Sequence, residues 1–164
     1  MEKNPKSFYR VRFSDCDPLG HLNNARYIDY FLNAREDHLK DHYDLDLKSF
    51  YAKGVSWVVS THEIVYKKPA LYNETVCITS SLIRLSPDSL LVEMLMTDEQ
   101  GKMINAIMWT SFVHINIRTG KKENHAADFM DFAGQVENTG IDIEAGIKNR
   151  ESSLRSLLNA AKIQ

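Results

Sequence analysis

The stretch Asp15-Cys16-Asp17-Pro18-Leu19-Gly20-His21-Leu22-Asn23-Asn24 crowds two carboxylates, a thiol, an imidazole and two amides into one short segment. Pro18 fixes its own backbone and Gly20 is free to take positive φ, so the segment reads as a turn. It runs into Ala25-Arg26-Tyr27-Ile28, where a helical pattern begins, and Asn23 or Asn24 is a good N-cap. The first amides of a helix have no internal partner and carry partial positive charge. A carboxylate beside them stays ionised and can serve as nucleophile or general base, which makes Asp17 the first candidate catalytic residue. The same amides, above all the backbone N–H of Asn24, can polarise a carbonyl and hold its oxyanion. Carboxylate plus oxyanion donor suffices for acyl transfer to water. Aspartates at this spacing also make plain Asx turns, and spacing alone leaves both roles open for Asp15 and Asp17.

The other reactive side chains divide by their neighbours. His21 can carry a proton or donate to a substrate, or it can simply bond a carbonyl of the loop. Cys16 beside His21 suggests a thiol nucleophile, but two flanking carboxylates oppose the thiolate, so Cys16 reads as packing. His38 and His42 have the spacing of a helical metal pair. Leu39 follows His38 where the zinc-protease pattern needs glutamate, so they read as surface or subunit-contact residues and no metal is expected. Lys67, Lys68, Arg84, Lys121, Lys122, Arg150 and Arg155 are scattered, without a Gly-rich phosphate loop, and read as a solvated face. Trp57 and Trp109 read as core or interface.

Positioning these groups requires an ordered frame. Ser7 to Ser14 alternates apolar residues with Arg10 and Arg12, the pattern of a half-buried strand. A helix is expected from Asn23 or Asn24 to about Tyr43, with Asp29, Asn33, Glu36, Asp37 and Lys40 on its polar side. Its broad apolar arc belongs to a helix covered by other structure. A connection over Asp44 to Gly54 has room for a short helical turn. Strands are expected at Val55–Lys68, Glu74–Leu85, Leu90–Thr97 and Lys102–Ile117, and the short turns between them mean antiparallel pairing. The element order predicts an α+β fold with an antiparallel curved sheet wrapped around one long central helix. Met103 to Ile117 is apolar on both faces, so one face is expected to cover the helix and the other to meet a partner subunit. Ala126–Ala133 reads as a short helix, Gly134–Gly146 as a loose linker and Ser152–Lys162 as an amphipathic helix docking on the body or a neighbour. Residues 1–133 are therefore expected to form the domain and 134–164 a C-terminal extension.

Composition narrows the class. Twenty basic against 22 acidic residues give a net charge of −2, which does not point to nucleic acid. No apolar run approaches the ~20 residues of a membrane span. Met1 to Lys6 lacks the apolar core of a signal peptide, so a cytoplasmic location is expected, with Cys16 and Cys77 as free thiols.

From Asp15 to Tyr27 the sequence resembles the hotdog-fold thioesterases, closest to the 4-hydroxybenzoyl-CoA thioesterase-like branch and its acyl-CoA thioester hydrolase relatives. Their pattern is strand, Asp-x-Asp-x-x-Gly-His-Val-Asn-Asn-x-x-Tyr, then helix; here Leu22 replaces the valine. Arg35 in the helix also fits that family's habit. The resemblance implies a hotdog fold and hydrolysis of an acyl-CoA or acyl carrier protein thioester. Asp17 would be the catalytic carboxylate, and Asn24 would polarise the thioester through its backbone N–H. His21, Asn23 and Tyr27 would shape the acyl pocket, and Arg84 would hold a coenzyme A phosphate. It implies a homodimer or homotetramer with sites between subunits, and no cofactor beyond the coenzyme A of the substrate. Two alternatives share the fold. Hotdog hydratases and dehydratases use a loop like Asp-x-Asn-Pro-Leu-His, from which Asp17 and Gly20 depart. A dimer that binds acyl-CoA without turnover would have no need of Asp17.

Overall fold

The computed structural model describes residues 1–161. The strands are β1 (Lys6–Arg10), β2 (Val55–Tyr66), β3 (Thr75–Ser86), β4 (Ser89–Asp98) and β5 (Ile104–Asn116). The helices are α1 (Asn24–Tyr43), α2 (Leu47–Ala52), α3 (Ala127–Val136) and α4 (Ile147–Ala161). All strand pairs are antiparallel, in the order β1-β3-β4-β5-β2, leaving β1 and β2 as edges.

The architecture differs from the expected sheet curved around one long central helix. The sheet is open and not strongly curled, and four separate helices accompany it. Side chains alternate between faces along each strand. Val92, Met94 and Met96 of β4 and Ala106 and Met108 of β5 join Tyr27, Phe31 and Ala34 of α1 in the main core. Ile83, Ile107 and Trp109 face the other way and pack with Ile141, Ile143, Ile147 and Leu154. The second apolar face of β5 is therefore covered by the chain's own tail. A strand apolar on both faces demands two covers, and α4 is the second.

Individual boundaries also shift. β1 ends at Arg10, because Phe13–Asp15 forms a 3-10 turn where a strand to Ser14 was expected. α3 runs through Gly134 to Val136, with Ala133 and Val136 buried in the main core. α4 starts at Ile147, five residues before the expected Ser152; Lys162, its expected end, lies outside the described residues. α1 keeps its expected span, and its polar side is exposed as expected. Arg35 and His38, by contrast, are buried within it.

Candidate active site

The reactive loop leaves β1 and is sewn to the turn between β2 and β3. Val11 N donates to Glu74 O, Asn73 N to Val11 O, Tyr72 N to Gly20 O and Leu22 N to Ala70 O, each at 2.8–2.9 Å. Inside the loop Asp17 N donates to His21 O at 2.8 Å and Gly20 N to Asp17 O at 3.0 Å. Gly20 sits at φ +74°, the left-handed conformation that a side chain disfavours. The turn closes because that residue is glycine.

This backbone orients the Asp17 carboxylate. Its Oδ1 accepts from the amides of Leu19 (2.9 Å) and His21 (3.0 Å). No described hydrogen bond reaches Oδ2. The amides holding Asp17 thus belong to its own loop rather than to α1. The α1 cap is Asn23, whose side chain accepts from Ala25 N at 3.0 Å. Asn24 N–H, at the first helical position, has no hydrogen-bond partner among the described residues and is an available donor.

Tyr27 is buried and its hydroxyl accepts from Ala70 N at 3.1 Å, tying α1 to the same turn. Its ring meets Tyr66 edge-on at 5.2 Å, and Tyr66 donates to Asn24 O at 2.8 Å. Half-buried His21 bridges through its backbone to Leu71. The chain therefore gathers Asp17, His21, Asn23, Asn24 and Tyr27 at one end of α1. Arg84 is elsewhere: β3 begins beside the loop at Thr75, so Arg84 lies ~30 Å along the strand. Its guanidinium is paired with Glu144 at 2.8 Å.

Sequence reasoning missed two tyrosines. Tyr30 donates to Asp15 Oδ2 at 2.8 Å and accepts from Arg12 N at 3.1 Å. Tyr66 supports Asn24 from across the fold. Tyr30 follows Tyr27 by one helical turn, which was the available signal; nothing in the sequence pairs Tyr66 with Asn24. Cys16 is a free thiol whose Sγ donates to Arg12 O at 3.3 Å. Burial, then the charges of Asp15 and Asp17, push its pKa up and away from nucleophilic use. His38 and His42 lie 5.9 Å apart, with the Nδ1 of His38 turned to Ser80 at 2.8 Å.

An antiparallel sheet carrying α1, with a held carboxylate ahead of that helix, defines a hotdog-like protein. Residues 11–139 match the family model described as the thioesterase-like superfamily. The long-chain acyl-CoA thioesterase FadM of Escherichia coli (strain K12) is 30% identical over 112 residues, 68% of this chain and 83% of that protein. The crystal structure of YbaW, a probable thioesterase from Escherichia coli, superposes with a TM-score of 0.70 at 27% identity, covering 81% of this chain and 98% of that one. The DHNA-CoA thioesterase of Staphylococcus aureus shares the fold, with a TM-score of 0.75 at 18% identity over 81% of this chain and 90% of that chain. The chain belongs to the thioesterase-like superfamily, and its general activity is that of a thioester hydrolase.

Proposed function

We propose that the protein hydrolyses an acyl-CoA thioester to the free acid and the coenzyme A thiol, with Asp17 as the reacting carboxylate. The observation that carries this reading is the fixed Oδ1 of Asp17, which leaves Oδ2 to act. Asn24 N–H polarises the thioester carbonyl and receives the developing negative charge. Asp17 then either attacks the carbonyl carbon, giving an anhydride that water opens, or takes a proton from the attacking water. The thiolate leaves in both routes. A thioester is reactive enough that a carboxylate and an amide donor suffice.

His21, Asn23 and Tyr27 shape the acyl end of the site in this proposal. Exposed Phe13, Leu19, Leu71 and Tyr72 surround the loop, an apolar surface suited to a second subunit completing the site. Arg84 can serve as a phosphate ligand only across such an interface and only by releasing Glu144. A long-chain acyl group, as in the FadM name, is the first class to try.

Thiol release from acyl-CoAs of graded length tests the reading. Asp17→Asn keeps an oxygen for the two loop amides, so the variant is expected to fold. Its turnover is expected to fall by ~100- to 10,000-fold. Wild-type turnover in Asp17→Asn would overturn the assignment.

A further inference from the structure

We infer that the cavity between α1, α3 and the sheet binds a carboxylate with a compact apolar body, its anionic end held by Arg35. The cavity measures about 230 Å³. Leu32, Leu39, Leu82, Phe112 and Phe129 are among its apolar walls, and Arg35 joins them. None of the lining residues comes from the Asp17 loop. Arg35 stands ~16 Å beyond Asn24 along the helix.

The charge on Arg35 is the unusual part. The residue is only 9% exposed. Its polar partners are Ser80, whose Oγ accepts from Nη1 at 3.2 Å, and the Tyr43 side chain, both uncharged, although a guanidinium carries five N–H donors. No described carboxylate pairs with it. Glu36 also lines the cavity, but successive helix positions do not face one another, and no ion pair joins the two. The buried groups near it supply no charge. His38 shares Ser80, and burial followed by the Arg35 charge lowers its pKa to about 4, so the ring is neutral near pH 7. The Tyr43 phenol is pushed up by burial and is neutral as well.

A buried cation without a counter-ion is costly, and a ligand supplying that counter-ion removes the cost. The planar guanidinium fork matches a carboxylate in two parallel bonds. An alcohol or alkane would fill the apolar walls and leave Arg35 unpaired. Size limits the body: an apolar cavity of ~150 Å³ holds benzene, so this one suits a benzoate- or octanoate-sized ligand. The carboxylate can come from a free acid, or from the far end of an acyl group that bears a second carboxylate.

Calorimetric titration of the full chain with octanoate and octan-1-ol tests this without any turnover, so a failed hydrolysis reading leaves the result standing. Octanoate is expected to bind saturably and at least ~10-fold more tightly than the alcohol, since a hydrogen bond to a charged group exceeds one tenfold step. Arg35→Met is expected to lose that preference while keeping or raising the melting temperature, because an unpaired buried charge becomes an apolar side chain. Leu39→Trp fills the cavity and is expected to abolish binding of both ligands, which decides the matter if Arg35→Met does not fold. Equal affinities in the wild type, no saturable binding, or undiminished octanoate affinity in either folded variant would overturn the proposal. The source is read from kinetics, an arm that rests on the hydrolysis proposed above. A KM lower for the ω-carboxyoctanoyl-CoA than for octanoyl-CoA, with the gap lost in Arg35→Met, identifies the acyl group. Equal KM values with octanoate binding intact identify a free acid.

Discussion

Gly20 acts on catalysis through geometry alone. At φ +74° an added Cβ would meet no atom within 4 Å, so the strain of Gly20→Ala is purely in the backbone. The expected cost is ~1–2 kcal/mol. Turnover should fall further than stability, because the Leu19 and His21 amides move off Asp17; denaturation and thiol-release assays separate the two. Cys16→Ser is expected to retain near wild-type turnover, since burial and then the charges of Asp15 and Asp17 raise the thiol pKa and oppose the thiolate. His38 gives a pH signature. Its folded pKa of about 4 lies below the ordinary 6.5, so between these values the unfolded chain binds more protons. Stability is fully present above pH 6.5 and is lost as pH falls toward 4; His38→Gln should flatten that slope in acid unfolding. At this scale the Asp17 loop was legible because its residue types are dense and share one turn. Arg35 and His38 were not, because burial of a polar helical residue depends on what the sheet lays over it.

At the scale of elements, α4 is held by more than apolar contact. Glu93 on β4 is buried and accepts from Trp109 Nε1 at 2.9 Å. Arg150 of α4 grips the same carboxylate through Nε and Nη2, each at 2.9 Å. Removing one partner of such a pair strands the other in the interior, so Arg150→Met is expected to cost ~3 kcal/mol in chemical denaturation. Adding Glu93→Gln should recover part of that loss. The strands were legible from their alternation, but the second apolar face of β5, expected to meet a partner subunit, is covered by the chain's own tail. That cover was hidden: Ile141 and Ile143 sit in a polar stretch that reads as linker. The Arg150–Glu93 partners stand 57 residues apart, and Arg150 had been one of several scattered bases.

For the whole molecule, the remaining unpaired backbone lies at the two sheet edges. β1 is short, whereas β2 has 12 residues and exposes Val58 and Val59. A long edge with exposed apolar side chains is a template for pairing with another chain. Two copies joined along β2 are the expected solution species, and Val59→Lys is expected to shift light scattering toward a single chain's mass. The tail adds a limit on stoichiometry. Among the described residues, α1 and α3 pack on one side of the sheet, and α4 with its approach packs over Ile83, Ile107 and Trp109 on the other. An isologous two-fold contact along one edge satisfies itself and stops. The C-terminal segment is thereby expected to limit association to a pair, since it occupies in cis part of the face that a neighbouring pair would need.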